Sequence, residues 1–237
     1  MAIYKISYSK KYKRANIHNH GCNFNCPWCS YKLQHSPKPC KFLTLNEIKE
    51  VLSELDIDRV HLVGGELTTY PRLSEICDFI RNELDVYTKI GHSNGYNLPP
   101  DTVDAMSISI KSLSNDFYLR YTGKSNVPVL KNFKTAYDRG VHIDASSVFI
   151  PGLVESVEIE EIAQFIAAVN PEIHYHITGY IPVPGVSWRS PHPDEIENAK
   201  MVAEQYLKNV NTSWFSSAHD YYRMIAENPK YHSIPVA

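Results

Sequence analysis

RVHLVGGE, residues 59–66, is a short β-rich run that stops at two glycines and a carboxylate. Val60 and Leu62 alternate with polar neighbours, the period of a strand with one covered face. The same grammar recurs along the chain. VYTKIGH (86–92) ends at Ser93-Asn94-Gly95, and AMSISIK (105–111) ends at a lysine. VHIDASSVFI (141–150) ends at Pro151-Gly152, and IHYHITGYIPV (173–183) at Pro184-Gly185. With RANIHNH (14–20) upstream, six strands are expected.

Helical patterns separate them. TLNEIKEVLSEL opens with Thr44 and carries Glu47 three residues on, a capping-box signature, with Leu45, Ile48, Val51, Leu52 and Leu55 at helical spacing. PRLSEICDFIRNEL places Pro71 near a first turn, and VPVLKNFKTAYDRG closes at Gly140. SVEIEEIAQFIAAV and HPDEIENAKMVAEQYL complete the series. Strands alternating with helices predict a parallel α/β sheet, and six βα units predict an incomplete (β/α)6 TIM-like barrel. The barrel core is expected over residues 1–210. Residues 211–237 do not extend the repeat and are expected as an extension packed on the barrel or capping its mouth.

The bulk numbers agree with one large domain. The chain has 237 residues, 43% hydrophobic and 21% charged, with a formal net charge of −2. That charge gives no electrostatic case for a nucleic acid or a membrane partner. Lys5, Lys10, Lys11, Lys13 and Arg14 form a local basic stretch, read as a solvated arm in preference to a phosphate-facing patch. No apolar run reaches the roughly 18 residues of a membrane span. The N-terminus lacks the apolar centre of a secretory signal, so a cytoplasmic location is expected. Reduced thiols belong there, and clustered cysteines then suggest metal or catalysis.

Three of the five cysteines, Cys22, Cys26 and Cys29, fall within HGCNFNCPWCSY, immediately after the first expected strand. Three thiolates are one short of a closed tetrahedral site. In a barrel of this kind, chemistry collects at the C-terminal ends of the strands. The cysteine loop, Gly64-Gly65-Glu66, Ser93-Asn94-Gly95 and Lys111 all occupy such ends, so motifs far apart in sequence should meet at one mouth.

The spacing Cys22-x3-Cys26-x2-Cys29 after a first strand resembles the radical S-adenosylmethionine (SAM) superfamily. Within it, the pattern is most similar to the small activating enzymes of glycyl-radical proteins, of the pyruvate formate-lyase activating enzyme type. The resemblance runs from about Arg14 to Val183. It implies that Cys22, Cys26 and Cys29 hold a [4Fe–4S] cluster with one open iron, which SAM chelates. An electron from the cluster would then split the sulfonium and release a 5′-deoxyadenosyl radical that abstracts hydrogen.

Further roles follow from the same resemblance. Trp28 matches an aromatic position beside the SAM adenine. Gly64, Gly65 and Glu66 match the element that holds the methionyl ammonium. Asn94 matches a turn near the ribose, with His92 where some activating enzymes carry an acid for a monovalent cation. Lys111 matches a mouth lysine facing SAM or substrate, with Ser109 replacing that motif's acid. Ser146 stands where some activating enzymes have arginine and can hydrogen-bond the SAM carboxylate, and Asp144 shares its strand face. His176 and Tyr180, on one strand face with His174 by alternation, are candidates against ribose or adenine. The implied partners are reduced ferredoxin or flavodoxin as electron donor, and a glycyl-radical protein as substrate. Radical modification of a small molecule, peptide or nucleoside is the alternative. A third reading is a non-enzymatic zinc scaffold using Cys40 as fourth ligand.

Overall fold

The computed structural model describes residues 2–33 and 41–237. Cys40, the fourth ligand of the zinc reading, lies outside the described residues. All six expected strands form: β2 (Arg14–His20), β3 (Arg59–Val63), β4 (Tyr87–Ser93), β5 (Ala105–Ser109), β6 (His142–Phe149) and β7 (Tyr175–Gly179). They pair in parallel in chain order. The helices between them are α1 (Leu45–Ser53), α2 (Leu73–Asn82), α3 (Asn115–Thr122), α4 (Val127–Asp138) and α5 (Ser156–Ala167). Thr44 caps α1 with the reciprocal Glu47 bond that the sequence predicts.

Three strands were not expected. β1 (Ala2–Ser9) lies antiparallel to β2, and the two-residue β9 (Ile234–Pro235) lies antiparallel to β1. After α6 (Pro193–Ala203), β8 (Val210–Ser213) extends the parallel set beside β7. The extension expected from residue 211 therefore begins inside a strand. The order β8-β7-β6-β5-β4-β3-β2-β1-β9 has two free edges, so the sheet is an open, partial barrel.

Two strands end earlier than expected. β5 stops at Ser109 and β7 at Gly179. Beyond Gly179 come Pro182 and Pro184, which offer the ladder no N–H. Tyr180 is consequently not a strand residue in line with His176. It turns into the core, 1% exposed, and its hydroxyl accepts from Val183 N.

The two faces of the sheet differ in kind. On the outer face Ile17, Leu62, Ile90, Ile108, Ala145 and Ile177 join the buried faces of the helices in one continuous apolar core. The register places Asn16, His61, Lys89, Ser107, Asp144 and His176 on the opposite, inner face. Of the basic stretch at the N-terminus, Lys10, Lys11 and Lys13 are exposed. Lys5 and Arg14 are half-buried on the inner face.

The chain crosses the opening of the sheet in its last residues. From β8 at one edge it forms α7 (Ala218–Glu227) and ends on β9 at the other edge. The Tyr222 hydroxyl donates to the Leu33 carbonyl, and Phe215, Ala218 and Tyr221 pack on Leu33, Ile181 and Val183. Farther along, Arg14 donates to the Lys230 carbonyl and Ser233 bonds Ser7. No helix among the described residues is long and apolar enough to cross a membrane.

Candidate active site

The cysteine loop leaves β2 through Gly21, whose φ of 100° lies in the left-handed region. Phe24 anchors it, buried edge-on against Tyr96 and Tyr118. Asn25 N donates to the Thr122 carbonyl, tying the loop to the end of α3. Cys22 is exposed, while Cys26 and Cys29 are half-buried. The Cys22 sulfur accepts from Phe24 N at 3.4 Å and from Asn94 Nδ2 at 3.8 Å. Burial pushes the Cys26 thiol up to about 11, against the opposing charge of Lys111.

Glu66 is the hub of the mouth. Its carboxylate is 1% exposed. Oε1 accepts from Thr68 N at 3.1 Å, Thr68 Oγ1 at 2.7 Å and Ser93 Oγ at 2.8 Å. Oε2 accepts from Asn94 N at 2.6 Å. Each carboxylate oxygen offers about two lone pairs; Oε1 shares its pair among three donors, and Oε2, with one donor, keeps one lone pair for another. Glu66 N donates to the Gly21 carbonyl at 2.9 Å. One residue thus joins the cysteine loop, its own turn and the end of β4.

The two glycines make that junction close. Gly64 has φ 87° and Gly65 φ 41°. A Cβ on Gly64 would stand 2.6 Å from the Asn19 carbonyl oxygen, and one on Gly65 would overlap the Gly21 carbonyl. The glycines therefore let two loops of the chain itself approach. Asn19 was missed from sequence. It is 2% exposed, donates Nδ2 to the Gly21 and Glu66 carbonyls, and leaves Oδ1 buried without a partner.

A second group lies across the barrel. The register aligns Ser109 of β5, Ser146 of β6 and His176 of β7 in one row. Lys111 Nζ donates to Ser109 Oγ at 2.6 Å, and His176 Nε2 lies 2.9 Å from Ser213 Oγ. Burial, with His174 nearby, lowers the His176 pKa. His92 sits in a β-bulge, where Ile90 and Ser93 oppose Met106 and Ile108, and its φ is 54°. The bulge re-aims the end of β4, and His92 comes under the charges of Lys111, His176 and Lys89.

Trp28 and Tyr180 form a third group. Both rings lie against Trp188, with centroids 6.0 and 5.9 Å away, and Trp28 also packs on Phe117 and Tyr121. Trp28 is only 5% exposed. Nothing in hydrophobic periodicity marks this aromatic cluster, because its members come from four separate segments.

The chain resembles known proteins in sequence and in fold. Residues 16–166 match the family described as the Radical SAM superfamily. The chain is 32% identical over 228 residues to "Putative glycyl-radical enzyme activating enzyme MJ1632" of Methanocaldococcus jannaschii, covering 90% of this chain and 84% of that one. Streptococcus suis SuiB bound to S-adenosylmethionine superposes with a TM-score of 0.64 at 16% identity, over 81% of this chain. This chain spans about half of SuiB, 48%. A domain of pyruvate-formate lyase-activating enzyme from Bacteroides vulgatus superposes with a TM-score of 0.53 at 16% identity, over 65% of this chain and 98% of that domain.

The donor set fits the cofactors of that family. A cubane takes one thiolate per iron, so its three cysteines need not converge on a point as ligands of a single zinc must. Among the described residues no three His, Cys, Asp or Glu side chains are grouped to hold one metal ion. The orphaned Asn19 Oδ1 and the open position on Glu66 Oε2 both suit a ligand that brings N–H donors, as an ammonium does.

Proposed function

The chain belongs to the radical SAM superfamily, whose cofactors are a [4Fe–4S] cluster and SAM, and we propose that it abstracts a hydrogen atom from a glycine of a partner protein. The cluster and SAM, when bound, supply one-electron cleavage of the sulfonium and with it a hydrogen-abstracting deoxyadenosyl group. The protein's own residues bind, orient and shield. Cys22, Cys26 and Cys29 each take one iron. The Gly64-Gly65 backbone, Glu66 and Asn19 receive the ammonium of SAM, and Asn94 and Ser146 take its other polar groups. Lys111 is within one hydrogen bond of the Ser109 row and faces SAM or substrate at the mouth. Trp28 gives the adenine an apolar wall, and Tyr180, in the core, supports that wall through Trp188. The electron comes from a low-potential donor such as reduced ferredoxin or flavodoxin, in the cytoplasm, where thiols stay reduced.

The observation that carries this reading is the Glu66 hub. It binds the cysteine loop, the glycine turn and the Asn94 turn into one rigid mouth, as a site for two contiguous cofactors requires. The glycine target is supported by the Methanocaldococcus jannaschii relative, similar over nearly the whole chain. A second reading, a small polar molecule as hydrogen donor, is favoured by the inner face of the sheet, which is charged where a packed barrel is apolar.

Electron paramagnetic resonance of anaerobically reconstituted, dithionite-reduced protein, with and without SAM, tests the reading. A reduced cluster signal that shifts on SAM addition, together with release of methionine and 5′-deoxyadenosine, is expected. Retained zinc with no cluster, or a cluster indifferent to SAM, would overturn it. With cleavage established, a glycine-deuterated partner should pass its label into deoxyadenosine, and deoxyadenosine free of label would remove the glycine target.

A further inference from the structure

The interior of a closed (β/α) barrel is a packed layer of Val, Ile and Leu. The inner face of this sheet is different. His61, Lys89, Asp144 and His176 occupy its middle, and Lys89 and Asp144 keep 26% and 20% of their side-chain surface accessible although they lie in strands flanked on both sides. His92 is open to solvent, yet enough protein surrounds it that burial lowers its pKa. The inner face is thus polar and partly open to solvent.

Its charge is lopsided. The nine strands contain four Lys and Arg side chains (Lys5, Arg14, Arg59 and Lys89), all on the inner face, and one carboxylate, Asp144. Lys89 Nζ meets Asp144 Oδ2 at 2.5 Å, so that pair cancels. Arg14 and Arg59 are direct neighbours across β2 and β3, and neither has a carboxylate partner among the described residues. Arg14 gives one N–H to the Lys230 carbonyl and keeps Nε buried without an acceptor. Two guanidiniums stand side by side at the start of the inner face, Arg14 half-buried with one orphaned donor and Arg59 exposed, a pair suited to an oxyanion.

Position gives the pair its meaning. Arg14 and Arg59 begin their strands, at the end of the inner face away from the cysteines. Arg59 pairs with Tyr87, two residues below Lys89, and Lys89 pairs with Ala105, four residues below Ser109, so the backbone of the two arginines lies about 20 Å below the row that Lys111 touches, at roughly 3.3 Å per residue. We propose that the lower end of the inner face seats the phosphate or carboxylate of an elongated polar substrate, through Arg14 and Arg59, whose other end reaches the Ser109–Ser146–His176 row at the mouth. The proposal rests on the small-molecule reading of the reaction and names the class of molecule that reading requires.

Titration of the full-length reconstituted protein with inorganic pyrophosphate, and separately with citrate, followed by calorimetry at fixed ionic strength, tests it. One saturable site for at least one anion is expected, and the preferred anion says whether phosphate or carboxylate is the natural group. The variant R14Q/R59Q should weaken that site roughly tenfold or more, since charge-assisted contacts are the strongest of their kind. Should R14Q/R59Q fail to fold, as judged by thermal melting, R14K/R59K keeps the charge and loses the fork, and should still bind several-fold more weakly. No saturable binding of either anion, or variants that bind as the wild type does, overturns the proposal. SAM cleavage by the wild-type sample is read separately. Cleavage without an anion site removes this inference alone, and an anion site without cleavage removes the radical reaction and leaves the site.

Discussion

At Glu66 a single side chain carries two burdens, holding the mouth together and presenting an acceptor to a ligand. Four donors converge on its buried carboxylate. Replacing it by Gln keeps the shape but removes the charge and turns one acceptor into a donor facing other donors. Hydrogen bonds to a charged group contribute about 1.5–3 kcal/mol each, and part of that survives to the neutral amide. Glu66→Gln should therefore lower stability by about 2–4 kcal/mol in urea unfolding and weaken SAM binding at the same time. A variant as stable as the wild type would show the hub to be incidental. Gly65→Ala is the sharper case, because its Cβ sits at a left-handed φ and the two atoms it meets under 3 Å are both backbone of Gly21 on the cysteine loop. It should melt well below the wild type and take up iron poorly. These residues are also where the sequence spoke most clearly. A glycine pair and a carboxylate after a strand, and three clustered cysteines, are legible because local spacing carries their meaning. Asn19 and the four-donor environment of Glu66 are not, since Ser93 and Asn94 lie 27 and 28 residues away and no period links them.

At the scale of elements, the six parallel strands and the capped α1 follow from patterns that repeat within a few residues. β1 escaped because its inward positions are Lys5, Ser7 and Ser9, so its polar face read as a basic arm. β8 is four residues long with one apolar member, and β9 is two; such pieces are strands only because a neighbour is waiting for them. The tail illustrates the point. Its hold on the body is a Tyr222 bond to Leu33, a small apolar cluster and a short edge pairing. Removing residues from 217 onward leaves the parallel sheet intact but uncovers Leu33, Ile181 and Val183. The truncated chain should fold and melt several degrees lower. The segment from Cys22 to Leu33 should exchange its amides faster than in the full chain, read by hydrogen exchange with mass spectrometry. Unchanged exchange in that segment would mean that α7 rests on the mouth without supporting it.

For the whole molecule, the polar inner face has an energetic signature that a packed barrel would lack. Burial is the main cause that lowers the pKa of both His18 and His61 to about 4, with Lys5 acting on the first and Arg14, Lys89 and Arg59 on the second. In the unfolded chain both rings return to about 6.5. Between these values the unfolded chain binds more protons than the folded one, so stability rises with pH across that window and is lost as the solution is acidified from about 6.5 to about 4. His92 and His176 are lowered too and act in the same direction. Asp144, held below its usual range by Lys89 in spite of burial, adds its loss only at the acid end. A tenfold change in a protonation equilibrium is worth about 1.4 kcal/mol, and both rings keep some solvent contact, so each contributes on the order of 2 kcal/mol by pH 4. Urea midpoints should fall between about pH 7 and pH 4.5, and His61→Asn should flatten that fall. An anion seated on Arg14 and Arg59 would lie beside His61 and ease its protonation. Pyrophosphate or citrate should then protect the wild type against acid more than it protects R14Q/R59Q. Equal protection of both proteins would locate the effect on the general surface, whereas a difference ties the acid sensitivity of the fold to the same cationic floor.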